Sequence, residues 1–368
     1  MNLEGKRILI IKQSSLGDIV HTLPLAHALK RCYPGCFIGW IVEKGLSALV
    51  SRDPSVDAVY PIHIPSTSEP EAGRFVYGPA LVATLRMLRQ LQATFRANPY
   101  DIVLDLHASF RSGLLGLTNP GGLRFGFAGA KELNTLFQHR LVANEAGLEH
   151  AMDKNLLFGA PFGCRPDPAD FYLCANAEDH QRMRAFLEHA GVGREDRVVY
   201  VNATARWQSK FWLASRWAEL CRLLQASKVQ PVLGGSASDL PYIQEIINDL
   251  PQKPLVAAGQ LSLTESVALM QRAIAYVGLD TGPMHMAALC GTPVVALFGP
   301  THPERVGPYG TGHTVIQADE VACLCCRKRI CATPHCMEGI SVAAVYERVM
   351  VHVEQNRAQS REKICGSA

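Results

Sequence analysis

Short apolar runs alternate with longer stretches of helical period along this chain, and the alternation occurs twice. A parallel strand covered on both faces reads as a continuous apolar run, and its partner is reached through a crossover helix. In the first half, strands are expected at Arg7–Lys12, Phe37–Val42, Ala58–Ile62 and Asp101–Asp105. Helices are expected at Ile19–Arg31, Gly45–Val50 and Pro79–Asn98, while the Gly-rich stretch Arg111–Arg140 carries no clear period. Gly163-Cys-Arg-Pro-Asp-Pro-Ala-Asp170 reads as a linker, after which the alternation resumes. Strands are expected there at Val198–Asn202, Val229–Leu233, Leu255–Ala258, Ala275–Gly278 and Val294–Phe298. The intervening helices fit Ala177–Ala190, Ala214–Ser227, Leu240–Leu250, Thr264–Ala273 and Met284–Leu289. The expected architecture is therefore α/β, with two Rossmann-like domains facing a cleft. Their bounds are 1–170 and 171–340; a last helix from Val342 and a tail (341–368) pack back across the domains.

A length of 368 residues suits two domains, and 48% hydrophobic with 19% charged residues is ample for two cores. The net charge of +3 selects no class of partner, so local clusters matter more. The N-terminus runs into an apolar strand without a signal-peptide pattern. The longest apolar candidate for a span, Ala287 to Phe298, falls short of about 20 residues and is broken by Gly291 and Pro293. The expected location is the cytoplasm.

In open parallel sheets, ligands bind beyond the carboxyl ends of strands, so the loops there are where chemistry is sought. The first is Gln13-Ser-Ser-Leu-Gly-Asp-Ile-Val-His-Thr-Leu-Pro24. Gly17 suits the tight turn and Asp18 opens the helix. Asp18 reads either as a cap on the positive helix end or as a base for a substrate hydroxyl. His21, one turn on, either orients Asp18, meets a substrate, or is a surface histidine.

The loop Leu279-Asp-Thr-Gly-Pro-Met-His-Met-Ala-Ala288 places Gly282-Pro283 at a helix start, whose free N–H groups suit a phosphate. Thr281 adds a hydroxyl. Asp280 carries the wrong charge for a phosphate ligand and instead shapes the loop or meets a sugar. His285 reaches the same pocket or is a core histidine. The loop after Asn202 offers Thr204, Arg206 and Lys210, and a lysine there suits a leaving diphosphate. Gly234-Gly-Ser-Ala-Ser-Asp239 offers a carboxylate for ribose hydroxyls. Ordinary helix caps and a charged surface loop would give the same local patterns.

Taken together, these segments resemble glycosyltransferase family 9, the ADP-heptose:lipopolysaccharide heptosyltransferases. The stretches that carry the resemblance begin with Ile11-Lys-Gln-Ser-Ser-Leu-Gly-Asp-Ile-Val-His-Thr-Leu-Pro24, Gly39-Trp-Ile-Val-Glu43 and Asp105-Leu-His-Ala-Ser-Phe-Arg111. His150-Ala-Met-Asp-Lys-Asn155, Gly235-Ser-Ala-Ser-Asp239, Asp280-Thr-Gly-Pro-Met-His285 and Phe298-Gly-Pro-Thr301 follow in the same order. Within the family, the first motif resembles the enzymes adding the first heptose, heptosyltransferase I. The resemblance implies a GT-B fold, with an acceptor in the N-terminal domain and ADP-heptose in the C-terminal one. It implies Asp18 as catalytic base and Lys210 beside the donor phosphates, the latter after a one-residue shift in the loop. Thr204, Asp239, Asp280, Thr281, Gly282 and His285 become donor-binding, and Ser15, Gly17, His21 and Arg111 acceptor-binding. It further implies an anionic lipopolysaccharide precursor as partner, peripheral contact with the inner membrane, and no nucleic acid. No cofactor is expected, and no metal, since no Asp-x-Asp motif stands in a suitable loop.

Twelve cysteines are many for a cytoplasmic chain, and five crowd between Cys323 and Cys336. Cys323, Cys325, Cys326, Cys331 and Cys336 read as a reduced structural cluster, a metal clip or disulfides, and Arg327, Lys328 and Arg329 would lower their thiol pKa values. A dinucleotide-dependent dehydrogenase would need G-x-G-x-x-G after a strand, and Ser14-Ser-Leu-Gly-Asp18 stands there instead. Three rivals stay open: a family transferase with a different nucleotide sugar, one with a later core acceptor, and a non-catalytic nucleotide-binding protein.

Overall fold

The structure, a computed structural model, describes residues 1–63 and 77–365. The chain divides into two compact units, Met1–Phe171 and Tyr172–Ala368. In the first, the order is β1 (Arg7–Ile11), α1 (Leu16–Val20), α2 (Leu23–Cys32), β2 (Phe37–Glu43), α3 (Ser47–Ser51) and β3 (Ala58–Ile62). There follow α4 (Tyr77–Ala97), β4 (Ile102–Asp105), α5 (Phe110–Gly116), β5 (Leu123–Phe127), β6 (Arg140–Val142) and α6 (Ala151–Leu156). The second unit begins with α7 (Ala177–His189), β7 (Arg197–Asn202), α8 (Ala214–Ala226), β8 (Val229–Leu233), α9 (Leu240–Ile247) and β9 (Leu255–Val256). It continues with α10 (Leu263–Arg272), β10 (Ala275–Leu279), α11 (Gly282–Leu289), β11 (Val294–Leu297) and α12 (Pro303–Val306). The last elements are β12 (Thr314–Ile316), α13 (His335–Glu338) and α14 (Val342–Cys365).

Each unit holds a six-stranded, wholly parallel sheet, with order β3-β2-β1-β4-β5-β6 in one and β12-β11-β10-β7-β8-β9 in the other. Counted from its own first strand, each sheet has the doubly wound order 3-2-1-4-5-6, reversing between its first and fourth strands. The switch points therefore lie between β1 and β4, and between β7 and β10. The α/β expectation with two parallel sheets holds. Ile8 to Ile11 and Val198 to Val201 are at most 2% exposed, which is why those runs are continuously apolar.

Four details differ from the sequence reading. The expected helix Ile19–Arg31 is two helices, because Thr22 starts α2 and Pro24, lacking an N–H, fits its first turn. The Gly-rich stretch contains α5, β5 and the start of β6, too short to show a period. β12 was not anticipated. The expected linker is packed rather than free: the buried Asp170 carboxylate accepts two bonds from Arg31 at 2.9 Å each, and Arg31 also donates to the Arg165 carbonyl.

The C-terminal helix belongs to the second unit. Val345, Val349 and Val353, one turn apart, join a core with Trp217, Leu220 and Leu224 of α8 and Val277 of β10. No helix among the described residues is long and apolar enough to cross a membrane.

Candidate functional site

At the first switch point, β1 ends and the chain turns directly into α1. Asp18 is the third residue of that helix and its carboxylate closes a capping box. Oδ2 accepts from the Ser15 amide at 2.9 Å and the Ser15 hydroxyl at 2.7 Å, while Oδ1 lies 3.6 Å from the Lys12 ammonium. The cap and the open oxygen thus coexist in one half-exposed side chain. Burial opposes ionisation of Asp18, but the Lys12 charge, the Ser15 hydrogen bonds and His21 outweigh it and hold the carboxyl below its ordinary value. Gly17 is buried beneath it.

Lys12, which the sequence reading counted only as a strand end, is itself buried and donates to the Leu106 carbonyl at 2.7 Å. Leu106 begins the loop after β4, so Lys12 ties together the two strands flanking the switch point. Asp105 shapes that loop. Its Oδ1 accepts from the amides of His107 and Ala108, and its Oδ2 from Ser112, Asn134 and Gln138. His107 is held below its ordinary pKa by burial first and then by Lys12 and Arg111, against the pull of Asp105 and Asp18. Arg111 is exposed in the first turn of α5. His21 is not a surface histidine: it is buried at the end of α1, its ring edge-on to that of His150 with centroids 5.3 Å apart.

The second switch point gathers residues that lie far apart in sequence. The Lys210 ammonium donates to the Asp280 carboxylate at 2.6 Å and to its carbonyl at 2.8 Å. Asp280 is 4% exposed and stands two residues before α11, so the ion pair fixes the lysine near that helix start. His285 is buried on α11 with Nε2 4.0 Å from Asp280 Oδ1. Thr281 caps α11, but its hydroxyl donates to Asn202 Oδ1 at 2.8 Å, tying the loop after β10 to the end of β7. That leaves the Gly282 amide, with the positive end of the helix, as the open donor, since Pro283 has no N–H and the Met284 amide donates to the Thr281 carbonyl at 3.1 Å. Thr204 is buried on the loop after β7, and Arg206 is exposed. The indole of Trp212 donates to the Ile340 carbonyl at 3.0 Å, anchoring the far end of that loop.

Asp239 stands beyond β8. Its Oδ2 accepts from the Ser236 amide and hydroxyl at 2.7 and 2.6 Å, leaving Oδ1 open. Gly234 is required here, since a Cβ would sit 1.9 Å from the Tyr200 hydroxyl oxygen.

Cys323, Cys325, Cys326, Cys331 and Cys336 are all free thiols, with no disulfide among them. Burial first, then the neighbouring Cys323, Cys326 and Cys331, pushes the Cys336 thiol up to about 11. The expected lowering by the basic residues of the loop does not govern that thiol, because it is buried and they are exposed. Among the described residues no group of three or more His, Cys, Asp or Glu is arranged to hold a metal ion.

Known proteins resemble this chain over most of its length. The model of glycosyltransferase family 9 (heptosyltransferase) matches residues 88–337. Lipopolysaccharide heptosyltransferase 3 of Escherichia coli K12 is 30% identical over 302 residues, covering 77% of this chain and 80% of that protein. Lipopolysaccharide heptosyltransferase 1 of Pseudomonas aeruginosa is 28% identical, covering 88% and 87%. The solved structure of E. coli heptosyltransferase WaaC with ADP superposes with a TM-score of 0.72 at 23% identity, over 94% of this chain and 99% of that one. At that identity the superposition establishes the GT-B-like fold, while the family match covers more than half of the chain. The chain belongs to glycosyltransferase family 9 and is a heptosyl-transferring enzyme of that family.

Proposed function

We propose that this enzyme transfers heptose from ADP-L-glycero-D-manno-heptose to a Kdo-bearing lipid A acceptor, with inversion at the anomeric carbon. The observation that carries the reading is the content of the two switch points. One presents an ionised carboxylate beside a buried lysine, and the other a fixed lysine at a helix N-terminus. The first suits removal of a proton from an acceptor hydroxyl, and the second suits a departing diphosphate.

In this mechanism Asp18 Oδ1 takes the hydroxyl proton as the acceptor oxygen attacks the anomeric carbon. The bond to ADP breaks on the opposite face, and no covalent sugar–enzyme intermediate forms. Lys210 and the Gly282 amide meet the negative charge gathering on the diphosphate, where a fixed donor gains most. Thr204, Thr281 and His285 line the donor site, with Asp280 orienting Lys210 and Asp239 Oδ1 accepting from the ribose. Ser15, Gly17, His21 and Arg111 form the acceptor side, with Arg111 facing its anionic groups. No metal or cofactor enters, so chelation by EDTA leaves the rate unchanged. The enzyme works in the cytoplasm, against the membrane surface that carries its lipid acceptor.

A later core acceptor is the second reading, favoured by the 30% identity to a heptosyltransferase 3. The test is a mass-spectrometric transfer assay with ADP-heptose, offering Kdo-lipid A and a heptosylated core acceptor side by side. One heptose added to Kdo-lipid A by wild type, and none by Asp18→Asn, is expected. Addition only to the heptosylated acceptor would give the second reading, and addition to neither would reject the donor.

A further inference from the structure

The basic, cysteine-rich loop takes no part in the reading above, yet its attachments place it at the same end of the sheet. At one end the Cys325 amide donates to the Gly299 carbonyl at 2.9 Å and the Arg327 amide to the Pro300 carbonyl at 2.7 Å. These carbonyls lie just beyond β11. At the other end the loop is fastened to the turn after β7. The Ser209 hydroxyl donates to the Lys328 carbonyl at 2.6 Å, the Ser209 amide to the Arg329 carbonyl at 3.2 Å, and the Cys331 amide to Gln208 Oε1 at 3.1 Å. Ser209 is 2% exposed, so its two bonds hold the loop from the interior, while the Cys331–Gln208 bond lies at the surface. In the sheet, β10 lies between β11 and β7. A segment pinned beyond both neighbours spans the carboxyl end of β10, where Asp280 and the start of α11 stand.

The charges make the placement informative. The Lys210 ammonium lies 4.8 Å from the centre of the Trp207 ring, and the Arg329 guanidinium carbon 5.4 Å from the same centre. Lys210 is matched by Asp280. No carboxylate pairs with Arg329 among the described residues. Two cations held on one indole repel one another, and an anion between them would relieve this. A guanidinium also offers paired N–H groups that fit phosphate oxygens.

We propose that Arg329, carried on the loop from Cys325 to Cys331, binds the diphosphate beside Lys210. The inference rests on the reading of the second unit as the donor site. It adds a second cation for the leaving group and gives the basic loop its task. The Arg329 side chain is exposed and bears no core contact, so its replacement tests the charge without unfolding the unit.

The experiment is calorimetric titration of the full-length chain with ADP, AMP and adenosine, beside co-sedimentation with phosphatidylglycerol vesicles. It compares wild type, Arg329→Gln, Lys210→Ala, and Lys328→Gln as a variant losing the same charge from the same loop. Arg329→Gln is expected to weaken ADP roughly tenfold, in the range of one charge-assisted hydrogen bond. It should weaken AMP less and leave adenosine unchanged, while Lys328→Gln stays near wild type. Equal ADP losses in Arg329→Gln and Lys328→Gln would overturn the specific contact. An unchanged ADP affinity in Arg329→Gln, with Lys210→Ala weakened, would overturn this inference alone. So would a loss seen only in binding to phosphatidylglycerol vesicles, since the loop would then face a membrane. Wild type binding no nucleoside diphosphate would overturn the donor-site reading itself.

Discussion

Asp18 is a helix cap and a candidate base at once, and the division of labour lies between its two oxygens. Because Lys12 and Ser15 hold its folded pKa below the ordinary value, it stays ionised throughout the neutral range. Removing the lysine charge removes a stabiliser of the carboxylate, so the pKa must rise. Lys12→Met is therefore expected to move the acid limb of the kcat/KM profile to higher pH, and an unmoved limb would detach Lys12 from the base. The same depressed pKa adds stability above the unfolded value, and that contribution is lost as pH falls through the folded one. Asp18→Asn should keep ADP affinity while abolishing turnover, as read by calorimetry beside the transfer assay. Lys210→Ala should cut turnover by roughly 10²–10³, the range for one electrostatic donor. An unchanged rate would mean that another residue meets the diphosphate.

At the scale of elements, the strands were legible and the joints between elements were less so. Runs such as Arg7–Lys12 and Val198–Asn202 declare themselves because both faces of a parallel strand are covered. The break between α1 and α2 was written in Thr22-Leu-Pro24, yet the apolar period carries through it and hides it. β5, β6 and β12 were missed because runs of three to five residues beside Gly-rich turns show no period. The last helix offers a stability test. Val349 is fully buried in the second unit's core, and Val349→Ala removes about two methylene equivalents, worth about 2 kcal/mol. The urea midpoint of that unit should fall accordingly. An unchanged midpoint would show that α14 adds little to the core.

For the whole molecule, one sheet order used twice puts loops at two switch points, and each proposed substrate then has a separate home. ADP should slow amide hydrogen exchange around 204–210, 235–239 and 281–285, leaving the amides of 13–18 little changed. Protection confined to the first unit would reverse the assignment of donor and acceptor. The loops that carry Asp18, Lys210, Asp239 and Asp280 were legible because each follows a buried strand, and burial is a local property of sequence. Lys210 and Asp280 meet across 70 residues, and Ser209 and Lys328 across 119. No local period records such pairings. The sequence by itself determined the α/β alternation, the strand positions and the loops in which polar groups cluster. Only the tertiary structure tied Lys12 to the Leu106 carbonyl, gave the Thr281 hydroxyl to Asn202, and drew the basic loop across β10. Those contacts depend on the order in which strands pair, and crossover connections decide that order.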